Sequence, residues 1–432
     1  MKVLVVGSGA REHALCWKLA QSPLLEELYC APGNPGIAEV AELVPIAPEE
    51  VHRLADFAAG LRIDLTVVGP ELPLTLGVAD EFAGRGLPLF GPSRQAAEIE
   101  GSKAFAKQFM ARHGIPTARF AVAHSAEEAR AAARALGLPV VLKADGLAAG
   151  KGVLLPASEE ELEAGITALF EERRFGASAE RVVVEEFLRG DEVSFMALCD
   201  GERLLPLATA RDYKRIGDDD QGPNTGGMGA HSPSYGVSAE TAGEILERVL
   251  RPALAGLASE GRSFVGVLYA GLILTAEGPR VLEFNARFGD PEAQAILLRL
   301  EDDLLPILAA GAAGRFTTHR LSFRREAAAC IVLASPGYPD RPRPGEPIRG
   351  LDRAAALEGI QIFHAGTALA GDELVSAGGR VLSICAHGRD LAEALRRAYA
   401  AAGQVDWAGK VYRRDIGRRV LASEIAAQRK ES

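Results

Sequence analysis

The sequence has no uninterrupted apolar run of the roughly 18 residues that a membrane-spanning helix needs. Its first apolar run, in MKVLVVGSGA, stops at Gly7. That run is too short for the core of a signal peptide, and no small-residue cleavage site follows it. Cysteine is sparse: Cys16, Cys30, Cys199, Cys330 and Cys385 are scattered and odd in number. With no CxxC and no metal-ligand spacing, free thiols in a reducing cytoplasm are expected. Positive charge is also short. The formal net charge of −10 argues against a general nucleic-acid binder, although a local basic cleft is compatible with it. No Ser-His-Asp or Cys-His set and no Walker A string GxxxxGK(S/T) stands out. A soluble cytoplasmic protein with no nucleic-acid and no membrane partner is expected. What is present fits that: 48% hydrophobic and 25% charged residues are the proportions of a globular protein. The 432 residues exceed one ordinary core, so about two to four domains are expected.

The chain opens on a buried-strand pattern, Val3 to Val6, followed by Gly7-Ser8-Gly9-Ala10-Arg11-Glu12-His13 and an amphipathic helix to about Gln21. A glycine turn between strand and helix places backbone N–H groups where an anion can sit. A dinucleotide site requires a third glycine and an acidic residue at the end of the second strand. Here Glu12 and His13 occupy the glycine region, and the second strand, Leu28 to Cys30, ends in APGNPG. A mononucleotide or sugar-phosphate site fits better, and a tight turn with no ligand is the alternative. Two more strands, Asp64 to Val68 and Pro88 to Phe90, end in GPE and GPS. Strands alternating with helices predict a parallel α/β sheet whose binding groups gather at the carboxyl ends. Glu71, at one such end, either binds a sugar hydroxyl or caps the next helix.

Residues 102–113 read as a helix carrying Lys103 and Lys107, stopped by Gly114-Ile115-Pro116. Residues 138–156, LPVVLKADGLAAGKGVLLP, read as strand, glycine loop and strand. Glycines let the backbone close over an anion, and Lys143 and Lys151 supply point charges. A solvated surface hairpin is the alternative. A strand from Arg181 to Val184 runs into EEFLRGDE, and two antiparallel strands follow, joined at Asp200-Gly201. Residues 211–228, RDYKRIGDDDQGPNTGGM, form a polar, glycine-rich connection too long for routine use, which predicts a substrate loop that orders on binding. In the strand ending EFNAR, Glu283 and Asn285 share a face. Hard oxygens at that spacing suit magnesium between protein and phosphates. An ordinary Glu–Arg pair at a strand edge is the alternative. The segment beyond about residue 312 shows strands and one helix but no catalytic constellation.

Taken in order, GSGAREHAL, APGNPG, VVGPE, KADGLAAGKGV, VEEFLRGDE, GPNTGGMGA and EFNARFGDPE make the chain resemble the phosphoribosylamine–glycine ligase family of ATP-grasp enzymes. The resemblance reaches the SAGGRVL turn near the end and so covers nearly the whole chain. It implies a multidomain α/β fold. An N-terminal parallel, Rossmann-like pre-ATP-grasp domain would span 1–100 and bind phosphoribosylamine. An ATP-grasp domain would span 101–325, with a small lid at about 117–190, and a small α+β domain would span 326–432.

The resemblance also implies roles. Lys103 and Lys143 would contact ATP phosphates, with Gly146, Gly150, Lys151 and Gly152 in a loop closing over them. Glu185, Glu186, Phe187 and Leu188 would line adenine through backbone groups, and Glu192 would hold the ribose. Glu283 and Asn285 would bind magnesium or manganese. Asp212, Lys214, Arg287, Asn224, Thr225, Gly226, Gly289 and Asp290 would surround glycine and an acyl phosphate. Gly9, Arg11, Glu12, Asn34 and Glu71 would shape the phosphoribosylamine pocket. A transient contact with the enzyme that supplies this labile amine is a further expectation. Two features depart from the pattern. Tyr269-Ala270-Gly271-Leu272 stands where many ATP-grasp enzymes carry another acidic metal ligand, and Tyr213 stands where the family commonly has histidine.

Overall fold

The computed structural model describes residues 1–147, 152–172 and 180–422. Five strands at the N-terminus form one sheet: β1 (Lys2–Gly7), β2 (Glu27–Pro32), β3 (Glu42–Leu43), β4 (Leu65–Val68) and β5 (Leu89–Phe90). Their order is β3-β2-β1-β4-β5 and every pairing is parallel, as the strand–helix alternation predicts. β1 lies in the middle, and Val3, Leu4, Val5 and Val6 are inaccessible to solvent. Helices on both faces of a parallel sheet explain why this strand is apolar without alternation. Its carboxyl end feeds the helix Ala10–Leu19 through Gly9.

The next sheet contains β6 (Phe120–Ala123), β7 (Val140–Ala144), β8 (Val153–Leu154) and β9 (Val182–Glu186), in the order β6-β9-β7-β8. β7 and β8 are the expected hairpin, with Leu142 opposite Leu154 and Lys143 opposite Val153. Of the loop between them, Gly150 and Lys151 lie outside the described residues. A central antiparallel sheet follows: β10 (Asp191–Asp200), β11 (Leu204–Pro206), β16 (Val265–Thr275) and β17 (Gly278–Asn285), ordered β11-β10-β16-β17. The helix Lys103–Arg112 is capped by Ser102, whose Oγ accepts from Phe105 N–H and donates to Asp145 Oδ1 at 2.9 Å. Ala104 N–H donates to the same oxygen at 3.1 Å. One carboxylate just past β7 thereby fixes the start of the helix that carries Lys103.

The last sheet runs β12-β15-β18-β22-β19 and draws on distant parts of the chain. β18 (Ala327–Ala334), β19 (Ile360–His364) and β22 (Arg380–Gly388) come from the C-terminal segment, whereas β12 (Arg211–Asp212) and β15 (Gly229–Ser232) precede it by about a hundred residues. The 211–228 stretch, expected as an irregular loop, contains a hairpin of β13 (Arg215–Gly217) and β14 (Gln221–Asn224). Its tip is held from far downstream. Buried Arg413 pairs with Asp220 at 2.8 Å and Asp415 at 2.7 Å, and Asp219 N–H donates to Asp415 Oδ2 at 2.9 Å. Local sequence carries no sign of these partners, which is why the hairpin reads as loop. β20 (Thr367–Ala370) and β21 (Glu373–Ser376) form a further hairpin.

Buried polar groups join the first and last domains. Asn34 Nδ2 donates to the carbonyls of Ser8 and His364, both at 2.8 Å. His13 Nδ1 accepts from His364 N–H at 2.9 Å, so that nitrogen carries no proton. Burial, with His364 adding to it, holds the His13 pKa down at about 3, and burial holds His364 at about 4. Both folded values lie below the ordinary 6.5, so the unfolded chain binds more protons as pH falls. The stability contributed by neutral histidine is complete above 6.5 and is lost progressively toward pH 3–4. Melting temperature should therefore begin to fall below about pH 6.5. His13→Gln, whose amide oxygen accepts the same bond without titrating, should flatten that slope. An unchanged slope would remove His13 as a contributor.

Candidate active site

Four lysines converge where the β6-β9-β7-β8 sheet, the central sheet and the helix Lys103–Arg112 meet. Lys107, at 2% exposure, pairs with Glu185 Oε2 at 2.8 Å and donates to Thr117 Oγ1 at 2.7 Å. Lys143 stands 3.0 Å from Glu185 Oε1 and donates to the Leu282 carbonyl at 2.9 Å. Lys103 donates to the Gly146 carbonyl at 2.8 Å. Lys214 reaches Glu283 Oε1 at 3.4 Å. Burial lowers the Lys103 pKa, and it lowers Lys107 to about 8 against the pull of Glu185. Spacing of i and i+4 put Lys103 and Lys107 on one helix face, but only the fold shows Lys107 bound to a buried carboxylate. Glu185 thus has a side-chain function that the sequence reading missed. Its backbone, with that of Glu186, lies inside the β6–β9–β7 ladder. Phe187 and Leu188 follow the ladder, and Phe187 is exposed. Glu192 is exposed at the start of β10 and bears electrostatically on Lys214.

β17 presents Glu283 and Asn285 beside this cluster. Burial disfavours the Glu283 charge, yet Lys214, Lys143, Lys103 and Arg287 together hold its pKa down to about 2. Asn285 Oδ1 accepts from Arg287 Nη2 at 3.2 Å, which orients the amide oxygen. Two hard oxygens fixed on one strand beside cations suit magnesium or manganese held together with phosphates. Opposite Glu283 on β16 is Gly271, so that position adds no carboxylate. Arg287 itself is held by Glu100 Oε1 at 3.0 Å, Glu71 Oε2 at 3.4 Å and the Phe288 carbonyl at 3.2 Å. Glu100, which also accepts from Ala286 N–H at 2.7 Å, carried no signal in the sequence.

A second, acidic corner adjoins the lysines. Glu292 Oε1 accepts from Ser194 Oγ at 2.9 Å and from the Tyr269 hydroxyl. Asp212 Oδ1 is buried with no hydrogen-bond partner. Burial and the nearby Glu292 raise its pKa well above the carboxylate range. Burial opposes the Lys214 charge, but Glu283, Glu192, Asp212 and Glu292 outweigh it and raise that pKa. The site is therefore cationic at one end and anionic at the other. Gly227 and Gly289 are small for cause: a Cβ would meet Asp212 Oδ1 at 2.8 Å in one case and Glu292 Oε2 at 2.5 Å in the other.

The flanking loops account for the remaining residues. Thr225 Oγ1 donates to the Lys214 carbonyl at 2.7 Å and accepts from Gly227 N–H at 3.0 Å, and Asn224 pairs with Arg215 in the hairpin. Asp290 pairs with Arg380 at 2.9 Å. Tyr213 faces away from the site, into the C-terminal core. Its hydroxyl accepts from Gly417 N–H at 3.0 Å, and Arg413 lies 5.2 Å over its ring. A histidine here would therefore not face the lysine cluster. At the N-terminal sheet, Glu12 is buried and accepts from Gly9 N–H at 2.5 Å and from Arg11 Nε at 2.6 Å. A Cβ at Gly9 would stand 2.7 Å from that carboxylate. Arg11 also donates to the Phe288 carbonyl at 3.0 Å, so it spans the two domains. Glu12 and Asn34 spend their side chains on internal bonds and shape this wall from behind.

Comparison with known proteins matches this architecture along the chain. Three phosphoribosylglycinamide synthetase family models fit in succession: the N domain over residues 1–100, the ATP-grasp (A) domain over 101–293 and the C domain over 328–419. The phosphoribosylamine–glycine ligase of Mesorhizobium japonicum is 48% identical over 427 residues, covering 99% of this chain and all of the relative. That of an Escherichia coli strain is 48% identical over 428 residues, covering 98% of this chain and all of the relative. The crystal structure of the Thermotoga maritima phosphoribosylamine–glycine ligase superposes with a TM-score of 0.83 at 37% identity, over 96% of this chain and all of that one. The chain belongs to the phosphoribosylglycinamide synthetase family.

Proposed function

We propose that the chain joins glycine to 5-phosphoribosylamine with ATP, giving glycinamide ribonucleotide, ADP and phosphate in purine biosynthesis. One observation carries the choice of substrate: Asp212 presents a buried carboxylate oxygen with no protein partner, two residues from Lys214. A small ammonium offsets the Glu292 repulsion and burial that Lys214 and Arg380 leave uncompensated at Asp212. A glycine held there directs its carboxylate toward the lysine end, where ATP phosphates are neutralised.

The chemistry follows from the poor electrophilicity of a carboxylate. A glycine carboxylate oxygen attacks the γ-phosphorus of ATP, the bond to the β,γ-bridging oxygen breaks, and ADP leaves. The amine of phosphoribosylamine then attacks the carbonyl carbon of glycyl phosphate. Phosphate departs, the nitrogen loses a proton, and the amide remains. Phosphoryl transfer of this kind needs positioning and charge neutralisation, not a protein nucleophile. Lys103 and Lys143 grip phosphate oxygens, and Arg287 faces the transferring group. Glu283 and Asn285 would hold the divalent cation, which would neutralise phosphate charge. The backbone at Phe187 and Leu188 meets adenine, and Glu192 meets the ribose. Gly9, Arg11 and Glu71 face phosphoribosylamine. Among the described residues no helix is long and apolar enough to cross a membrane.

The test is ADP release with glycine, phosphoribosylamine, ATP and magnesium, leaving out each in turn. Turnover should require all four. Sustained release with formate replacing glycine would overturn the assignment.

A further inference from the structure

The C-terminal domain reaches the acidic corner through two side chains. Between hydrogen bonds at Thr225 and Met228, the 224–228 segment passes through two successive glycines, and its one bond to itself there, among the described residues, is Gly227 N–H donating to Thr225 Oγ1 at 3.0 Å. Thr225 N–H donates to the Lys214 carbonyl at 2.7 Å, and Met228 N–H to the Tyr213 carbonyl at 2.8 Å. The Gly226 peptide groups are held from outside. Its N–H donates to the Tyr338 hydroxyl at 2.9 Å, and its carbonyl accepts from Arg380 Nη1 at 2.6 Å. Arg380 also donates to the Gly227 carbonyl at 3.5 Å and the Asp290 carbonyl at 3.0 Å, and it pairs with Asp290 Oδ2 at 2.9 Å. Its own base is fixed. The neighbouring Gly378 carbonyl accepts from Ser335 Oγ at 2.7 Å, and Ser335 N–H donates to the Gly379 carbonyl at 2.8 Å.

We propose that Arg380 is a positioning residue for the acceptor side of the reaction: its planar guanidinium ties the Gly226–Gly227 turn to Asp290 and so fixes the wall facing Asp212 and Glu292. Glycine at 226 fits this arrangement, because a Cβ there would stand 3.1 Å from Arg380 Cζ. Gly227 has φ of +110°, a conformation that glycine adopts freely and therefore does not hold unaided. A forked donor that spans a carbonyl and a carboxylate suits arginine and not lysine, which offers one compact ammonium. Among the described residues, none of Arg380's hydrogen bonds goes to Lys103, Lys143, Glu283 or Asn285. Its influence therefore falls on one half of the site. That the affected substrate is glycine rests on the function proposed above.

The test uses Arg380→Met and Arg380→Lys in the full chain, with two readouts. Amide hydrogen exchange is expected to quicken at residues 225–228 in both variants, and to stay unchanged in β7 and β9. This measurement needs no substrate, so it judges the grip on the loop independently of what the enzyme joins. In steady-state kinetics the KM for glycine is expected to rise about ten-fold or more in Arg380→Met, the scale for losing charged hydrogen bonds. Binding of ADP should stay within about two-fold, since the Arg380 hydrogen bonds go to Gly226, Gly227 and Asp290 and not to the lysine cluster. Arg380→Lys, keeping the charge but not the span, should fall between the wild type and Arg380→Met. Unchanged exchange at 225–228 would overturn the proposal. So would equal losses in glycine KM and ADP affinity, or a loosened loop with an unchanged glycine KM. A wild-type enzyme without glycine-dependent ADP release would refute the substrate assignment instead, leaving the exchange data to judge Arg380.

Discussion

Arg287→Ala is expected to lower turnover by about 10²–10³-fold, the cost of removing one preorganised donor from a charged transition state. The guanidinium is fixed before substrates arrive, by Glu71, Glu100, the Phe288 carbonyl and Asn285. Its charge therefore needs no reorientation as the phosphoryl group moves. The same contacts predict a stability cost. Burial raises the Glu100 pKa, and Arg287 is the main influence lowering it. Without the arginine that pKa climbs further. An acid whose folded value lies above its ordinary 4.5 binds its proton more tightly when folded. The variant's stability should then fall as pH rises above about 4.5, so its melting deficit should be smaller at about pH 5.5 than at about pH 8. Glu100→Gln in the Arg287→Ala background should recover melting temperature without recovering turnover. Near-wild-type turnover in the single variant, or recovery of turnover in the double, would remove Arg287 from the chemistry.

The parts of this site that could be read from the sequence are those encoded locally. The Val3–Val6 strand with its glycine turn, the lysine face of residues 103–112, the Lys143 hairpin and the Glu283–Asn285 spacing all depend on a few neighbouring residues. The parts that could not be read depend on contacts between distant segments. Arg380 and Gly226 are 154 positions apart, and Arg413 and Asp220 are 193 apart. Neither pair has a local pattern, so the C-terminal segment showed no catalytic constellation although it grips the 211–228 segment. Glu12 adds a second case: its position in the glycine turn is plain in the sequence, but its burial under Gly7 and Gly9 and its pairing with Arg11 are seen only in the fold. Glu100 falls in an ordinary helix context, and only burial and pairing set it apart.

Glu283→Gln is expected to shift the magnesium concentration for half-maximal ADP release upward by about ten-fold or more, as loss of a ligand does. The carboxylate has two functions that this substitution separates. As an oxygen donor beside Asn285 it would help hold the cation. As the central anion among Lys214, Lys143, Lys103 and Arg287 it offsets four positive charges. Glutamine is similar in shape and removes the charge. The lysines then face phosphates without competition, so ADP in the absence of metal should bind more tightly while magnesium-dependent turnover weakens. Those opposite movements distinguish a ligand from a residue needed only for folding, which would weaken both. An unchanged magnesium titration would remove Glu283 as a ligand, and unchanged metal-free ADP affinity would remove it as the lysines' counter-charge. Asn285 is the less decisive place to make this test. Its Oδ1 also accepts from Arg287, so its replacement would disturb the guanidinium together with any cation binding.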